Sequence, residues 1–182
     1  MDSSLFSIGH GNKSIDEFIS ELNSFNIQFV VDVRSVPYSK WNPHFNQSTL
    51  ECSLIKHGLR YVYMGDKLGG MPNDSSCYTN GKIDYKKMGQ KESFIEGLKR
   101  LINANNQQIR VAIMCSESEP EMCHRSKLIG EELRKRDIVM QHIISVQKSK
   151  SQIDVINTLT KGMGIMNLFG EEDTLTSRKT YL

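Results

Sequence analysis

The apolar residues of this chain fall into two alternating kinds of segment. Short continuous runs, rich in β-branched and aromatic residues, have the length of buried strands. Between them, apolar residues recur every three or four positions, which indicates amphipathic helices. The predicted strands are residues 5–8, 27–33, 59–64, 109–115 and 138–143, and the predicted helices are residues 14–25, 48–57, 94–102, 126–136 and 151–159. This alternation predicts an α/β fold: a single open, mostly parallel sheet of about five strands with helices on both faces, as in Rossmann-like, doubly wound proteins.

Helix starts are marked by a serine followed three residues later by a glutamate, the capping-box pattern. The pattern occurs at Ser14 with Glu17, at Ser48 with Glu51 and at Ser118 with Glu121. The third occurrence predicts that a helix begins near Glu119, directly after the fourth strand.

The rhythm of strands and helices indicates one domain over residues 1–160. Within it, residues 65–91 contain five glycines and little periodicity. A loop of that length is either a functional lid or binding loop, or a disordered surface insertion. Residues 161–182 have no periodicity, and we expect a flexible tail.

Composition describes an ordinary globular chain, because 38% of the 182 residues are apolar and 24% are charged. The formal net charge of +2 neither demands nor excludes an anionic partner. No apolar run approaches the roughly 20 residues that span a bilayer, and no secretory leader is evident. We therefore expect a cytoplasmic protein without a membrane partner, and reduced thiols at the cysteines, which lack the spacing of a disulfide framework.

Reactive residues concentrate in the segments that follow the first, second and fourth predicted strands. These segments are GHGNKS at residues 9–14, DVRSVPYSKWNPHF at 32–45 and CSESEPEMCHRS at 115–126. Ligands of open parallel sheets bind at the carboxyl ends of the strands, where the strand order reverses. With a strand order of 3-2-1-4-5, all three segments would line one crevice.

The first segment is suited to an anion because Gly9 and Gly11 allow close backbone approach and a helix begins just after them. His10 is a candidate base in this segment. The alternative is a tight turn with His10 at the surface.

The second segment places Asp32 and Arg34 on the same side of an extended chain. Arg34, Ser39 and Lys40 could hold a phosphate or carboxylate, and Asp32 is a candidate catalytic carboxylate. The alternative is an internal contact between Asp32 and Arg34 that fixes the strand end. Three aromatic residues, Trp41, His44 and Phe45, could stack on a base or belong to the core.

The third segment carries Cys115 just before a predicted helix, an environment that favours a thiolate, although Glu117 and its neighbours oppose it. On that helix, Cys123, His124 and Arg125 would be about 100° apart, so that at most two could face one crevice. A nucleophilic site would use Cys115 or Cys123 as thiolate, with His10 or His124 as base and an arginine as anion clamp.

Two other interpretations of the same cysteines remain open. A metal site, which we do not favour, would use Cys115, Cys123 and His124. The other alternative is a purely structural one, in which both cysteines are buried thiols without a chemical role.

The motifs taken together resemble the domain of unknown function 488 family, whose members carry TIGHS/GN, then DVRxxPxSrxxxF, then CxExxPxxCHR. The resemblance spans roughly residues 5–145 and implies a compact α/β domain, but it supplies no reaction. It points to these positions: His10, Asp32, Arg34, Ser39, Gly69, Gly70, Cys115, Glu117, Cys123, His124 and Arg125. Tails of the family often end in a short apolar motif, and Ile165–Phe169, IMNLF, resembles a peptide that docks on the DNA sliding clamp.

The expected function is an enzyme with a Cys/His/Asp/Arg crevice that acts on a phosphate-bearing substrate such as a nucleotide or nucleic-acid component. Cys115, Asp32, His10 and Glu117 are the catalytic candidates; Gly9, Gly11, Arg34, Ser39, Lys40, Gly69, Gly70, His124 and Arg125 are the candidates for substrate or anion binding. The alternative is a non-catalytic metal- or anion-binding sensor, or an accessory protein of DNA metabolism. The sequence requires no cofactor, and a divalent metal is possible.

Overall fold

The computed structural model describes residues 3–165 and 175–181. The strands are β1 (Leu5–Gly9), β2 (Phe29–Asp32), β3 (Arg60–Tyr63), β4 (Tyr78–Thr79), β5 (Lys82–Asp84), β6 (Val111–Cys115), β7 (Gln141–Ser145), β8 (Lys148–Ser151) and β9 (Thr176–Thr180). The α-helices are α1 (Ile15–Ser24), α2 (Gln47–Lys56), α3 (Gly65–Leu68), α4 (Tyr85–Gly89), α5 (Glu92–Asn106), α6 (Glu131–Arg134) and α7 (Gln152–Leu159).

The main sheet has six strands in the order β3-β2-β6-β1-β7-β8. The first five of these pair in parallel, and β8 pairs antiparallel with β7. The predicted α/β fold with a mostly parallel sheet is therefore confirmed. The predicted order 3-2-1-4-5 is wrong, because β6, the fourth predicted strand, lies between β1 and β2. Strand β6 therefore pairs with β2 as well as with β1, and its last residue, Cys115, is in register with Gly9 of β1.

Both faces of the sheet are covered, as predicted, and β6 contributes to both cores. Val111, Ile113 and Cys115 pack in one cluster with α5 and the helical segment that ends in α6. The alternate residues Ala112 and Met114 pack in the other cluster with α1 and α2. This period of two is the pattern of a strand that is buried on both faces.

Only the first of the three capping boxes forms. The Ser14 side chain accepts from the Glu17 amide, and the Glu17 carboxylate accepts from the Ser14 amide, at the start of α1. Helix α2 instead begins after Asn46, without a side-chain cap, because the chain enters it from a short 3-10 turn at Pro43–Phe45.

Residues 65–91 are largely folded, so a long loop or disordered insertion is the wrong description of this segment. It contains α3, the hairpin of β4 and β5, and α4. Strand β9 pairs antiparallel with β5, and the expectation of a flexible tail is therefore wrong for residues 176–180. The polar sequence TSRKT of β9 shows no strand pattern, and it forms a strand by pairing with β5.

Two expectations concern the rest of the chain. Residues 166–169 of the apolar motif lie outside the described residues. None of the helices that the structure describes is long and apolar enough to cross a membrane.

We expect the Ser177→Ala variant to loosen the C-terminal strand. The Ser177 hydroxyl accepts from the Ile83 amide at 3.0 Å and donates to the Lys179 carbonyl at 2.8 Å. Loss of the acceptor leaves a buried amide unpaired, which costs about 1–3 kcal/mol. Hydrogen exchange at the Ile83 amide should accelerate accordingly, whereas the exposed Ser149→Ala control should leave it unchanged. Equal exchange in both variants would contradict the anchoring role.

Candidate active site

The segment that follows β6 does not form the helix predicted from Ser118 and Glu121. Pro120–Met122 make a single 3-10 turn, and Cys123 then returns to an extended conformation with φ −118° and ψ 150°. A π-helical segment, Arg125–Gly130, follows and continues into α6. Because Cys123 precedes the helix, the expected 100° separation of Cys123, His124 and Arg125 does not apply.

The extended residue brings Cys123 back to the end of β6, where two thiols, a carboxylate and an imidazole meet. We call Cys115, Glu117, Cys123 and His124 the thiol cluster. The Glu117 carboxylate accepts from the Cys115 thiol at 3.0 Å and lies 3.5 Å from the Cys123 sulfur. The His124 Nδ1 atom lies 3.9 Å from the Cys115 sulfur and 3.7 Å from the Cys123 sulfur. The cysteine and histidine atoms are mutually within 4.8 Å.

Arg125 lies behind the thiol cluster and holds it in place. Its guanidinium donates from Nε to the Cys123 sulfur at 3.2 Å, from Nη2 to the Glu117 carbonyl at 2.6 Å and from Nη1 to the Ser7 hydroxyl at 3.4 Å. With 1% of its surface exposed, it lines neither of the two cavities described below. Its donors are used within the protein, which indicates a structural role for Arg125 rather than the predicted substrate binding.

The two thiols differ in their electrostatic surroundings. Burial alone raises the pKa of Cys123, but the hydrogen bond shared with Cys115 and the positive charges of Arg125 and His124 outweigh it and hold the pKa well below its ordinary value. The shared hydrogen bond and burial hold the pKa of Cys115 well above its ordinary value. For His124, burial lowers the pKa, but the neighbouring Cys123 more than compensates and the pKa is raised. The cluster thus favours a thiolate at Cys123 and a thiol at Cys115.

Asp32 and Arg34 form a buried ion pair at the end of β2. This is the internal contact that the sequence offered as the alternative to anion binding. The Arg34 guanidinium donates to both carboxylate oxygens, at 2.9 and 2.6 Å, and also to the Phe45 carbonyl at 2.8 Å. Tyr61 donates its hydroxyl to the same carboxylate at 2.8 Å. Asp32 is fully buried and its oxygens are occupied, which indicates a structural role rather than the predicted catalytic one.

His10 is buried rather than at the surface. Its ring stacks on Phe45 with centroids 4.3 Å apart, and Nδ1 contacts the Gly11 carbonyl at 2.9 Å. Burial lowers the pKa of His10 to about 4. Phe45 belongs to the core, whereas Trp41 is 88% exposed, so that of these two only Trp41 is free to stack on a ligand.

A cavity of about 290 Å³ opens above the thiol cluster. Its floor is formed by all four cluster residues, and its walls include Arg34, Gly70, Tyr85, Ser177, Arg178, Lys179 and Tyr181. The sequence does not predict that β9 lines this cavity, because TSRKT shows no strand pattern.

A second cavity of about 360 Å³ contains His10, Gly11, Tyr38 and Ser39, and shares Arg34, Val36 and Ser116 with the first. The three predicted segments therefore meet at one edge of the sheet but divide between two adjoining cavities. Lys40 is exposed and lines neither cavity.

Of the four candidate glycines, Gly9, Gly69 and Gly70 serve close packing. A Cβ at Gly9 would overlap the Glu117 carbonyl, and a Cβ at Gly69 would overlap the Gly65 carbonyl. A Cβ at Gly70 would lie 2.7 Å from His124 Nδ1, so that the absence of a side chain leaves room for the imidazole. Of these, only Gly70 lines the cavity above the cluster.

A polar relay continues from Arg125 into the protein. Ser7 contacts His142 Nδ1 at 2.7 Å, and His142 Nε2 contacts the Gln152 side chain at 2.7 Å. Gln152 in turn donates to Glu131 at 2.8 Å. Burial lowers the pKa of His142 to about 4, so this ring is neutral near pH 7.

The Asp32→Asn variant should be strongly destabilised, because it leaves the buried Arg34 guanidinium without its counter-charge. Breaking a buried ion pair costs about 3–5 kcal/mol. The Tyr61→Phe control removes one hydrogen bond from the same carboxylate and should cost about 1 kcal/mol. Urea unfolding at pH 7 measures both, and an Asp32→Asn variant as stable as Tyr61→Phe would contradict the ion-pair role.

His142 should make the protein less stable as the pH falls. Its pKa is about 4 in the folded state and 6.5 in the reference state, so the unfolded chain takes up the proton first and stability is lost from pH 6.5 down to 4. Between pH 7 and pH 4.5 this loss amounts to about 2 kcal/mol. The free energy of unfolding of His142→Gln should fall less over that interval than that of the wild type; parallel slopes would exclude the buried neutral histidine.

Comparison with known protein families gives a match over most of the site. Residues 14–130, well over half of the chain, match the family described as Domain of unknown function DUF488. Searches of the curated proteins and of the solved structures find no match. The matched region contains the whole thiol cluster and the Asp32–Arg34 pair, and the chain belongs to the DUF488 family.

Proposed function

We propose that this protein is an enzyme that acts on a phosphate-bearing substrate, such as a nucleotide or a nucleic-acid component, in the cavity above the thiol cluster. The observation that carries the proposal is the convergence of two thiols, a carboxylate and an imidazole on the floor of one cavity. A cluster of perturbed titratable groups in a cleft is a marker of a functional site.

Glu117 is the group that we assign as general base. Its side chain is partly exposed to the cavity, and it contacts both sulfur atoms. A carboxylate in that position can take the proton of an attacking group. The reaction class that we propose is therefore a nucleophilic displacement, that is, a hydrolysis or a group transfer.

The walls of the cavity support an anionic substrate. Arg178 and Lys179 of β9 line this cavity together with Arg34. Arg34 Nη1 has only a 3.5 Å contact with His10 Nε2, which leaves donor capacity toward a ligand. Guanidinium groups bind phosphate through paired hydrogen bonds, and lysine adds a point charge.

Exposed aromatic residues beside the cavities support a base or nucleoside as part of the substrate. Tyr38 is 68% exposed and lines the second cavity, and Trp41 of the same segment is 88% exposed. Such rings stack on nucleic-acid bases. We place the enzyme in the cytoplasm, and the four free thiols support a reducing compartment.

The test is a screen for turnover with nucleotides, dinucleotides and short single-stranded oligonucleotides, read by mass spectrometry of the products. With a substrate that the wild type converts, Glu117→Gln should reduce kcat about 100-fold or more, as expected for loss of a general base. The control is Glu119→Gln, which changes an exposed carboxylate two residues away that does not line the cavity. It should retain wild-type kcat.

Two outcomes would contradict the proposal. One is the absence of turnover across the whole panel. The other is a Glu117→Gln variant that is as active as Glu119→Gln.

A further inference from the structure

Three atoms of the thiol cluster are arranged as ligands of one metal ion. Zinc binds cysteine sulfur at about 2.3 Å and histidine nitrogen at about 2.0–2.1 Å in a tetrahedron, which places sulfur and nitrogen ligands about 3.6 Å apart. The observed distances from His124 Nδ1 to the two sulfur atoms are 3.7 and 3.9 Å. Both nitrogen–sulfur distances are therefore within a few tenths of an ångström of that geometry. The two sulfur atoms lie within 4.8 Å of each other and would approach to about 3.8 Å on a shared zinc ion.

We propose that Cys115, Cys123 and His124 bind Zn²⁺ on the floor of the cavity, with the fourth coordination position open toward the cavity. Glu117 does not belong to the set of atoms that lie mutually within 4.8 Å, so we assign it beside the metal rather than as a ligand. Three protein ligands and one open position are the arrangement of catalytic zinc sites.

The charges of the buried site suit a divalent cation. Two thiolate ligands and the Glu117 carboxylate carry three negative charges, against one positive charge on Arg125. Cys115, Cys123 and His124 are at most 7% exposed, so solvent compensates little of this charge. Zn²⁺ brings the total to zero, whereas without it the site has to retain protons.

The surroundings of the ligands are those of a metal site. Arg125 donates to the Cys123 sulfur from its side chain at 3.2 Å and from its backbone amide at 3.5 Å. Such outer hydrogen bonds orient metal ligands. His124 Nε2 is buried and has no hydrogen-bond partner among the described residues. Coordination of a metal through Nδ1 would fix the proton on Nε2.

The choice of zinc follows from the donor set. Two thiolates and an imidazole are soft and borderline ligands, which exclude Mg²⁺ and Ca²⁺ because those ions require oxygen. The role of the metal rests on the proposed function. There, the open position of a bound zinc would hold a water molecule, and Glu117 would take its proton. The binding of the metal does not depend on any activity.

The experiment measures zinc directly on the full chain. The protein is stripped with a chelator, loaded with ZnCl2, dialysed and analysed by mass spectrometry of the metal. We expect about one zinc per wild-type chain and none above background in Cys115→Ser and Cys123→Ser. The matched controls are Cys77→Ser, at a buried cysteine outside the cluster, and Cys52→Ser, at an exposed one; both should bind zinc as the wild type does.

Two further readouts separate loss of ligands from loss of folding. In the wild type, zinc should protect Cys115 and Cys123 from iodoacetamide, and the chelator should restore their alkylation, whereas Cys52 should react under both conditions. Cobalt(II) loaded in place of zinc should show thiolate-to-metal charge-transfer absorption, lost in Cys123→Ser, whose circular dichroism should remain that of a folded chain.

The outcomes distinguish the metal site from the proposed enzyme. A wild-type chain that takes up no more zinc than the Cys115→Ser/Cys123→Ser double variant overturns the metal site, even where Glu117-dependent turnover is found. Stoichiometric zinc that depends on both cysteines establishes the site, and if no substrate is then converted, it is the proposed enzyme that fails and a zinc-binding sensor that remains.

Discussion

The candidate site depends on a buried guanidinium. Arg125 is almost completely removed from water, and a charge in that position is tolerated only when its donors are satisfied. The partners that satisfy it come from three places: Ser7 in β1, the Glu117 carbonyl in the loop after β6, and the Cys123 sulfur. One side chain therefore ties the thiol-bearing loop to the central strands. The need to neutralise this cation also favours a negatively charged sulfur at Cys123, so that the same contact stabilises the loop and prepares the site.

A second buried cation performs the corresponding task on the neighbouring strand. Arg34 is held by Asp32 and by the Phe45 carbonyl, which fixes the turn that follows β2. The motif residues of the family thus divide into two groups with different physical roles. Asp32, Gly9 and Arg125 build the loops, whereas Cys115, Glu117, Cys123 and His124 face the cavity. A motif alone does not make this division, since both groups are equally rich in polar residues.

The local sequence pattern predicted secondary structure well where a characteristic residue type determines the element. The β-branched runs became the parallel strands, and Ser14 with Glu17 became a capping box. The pattern failed where contacts with distant parts of the chain determine strand order or strand formation. The position of β6 between β1 and β2 follows from which crossover packs on which face, and β9 is a strand only because β5 offers an edge.

The failure at Ser118 and Glu121 has the greatest consequence for the site. A regular helix beginning near Glu119 would have spread Cys123, His124 and Arg125 around its surface. Several tertiary contacts outweigh that local preference. The Ser126 hydroxyl bonds the Pro120 carbonyl at 2.5 Å, and Arg125 binds the Glu117 carbonyl. These contacts fold the chain into a compact turn, and the extended Cys123 brings its sulfur to Cys115.

The topology explains why the cluster lies at the end of β6. Helices α1 and α2 cover one face and follow connections that run toward β3, whereas α5 and α6 cover the other face and follow connections that run toward β7. Right-handed crossovers require this change of face when the direction along the sheet changes. The chain leaves β1 toward one face and leaves the adjacent β6 toward the other, and the two loops diverge. A crevice opens between the ends of these strands whatever residues fill it, and the insertion of β6 between β1 and β2 gives Cys115 a diverging neighbour on each side.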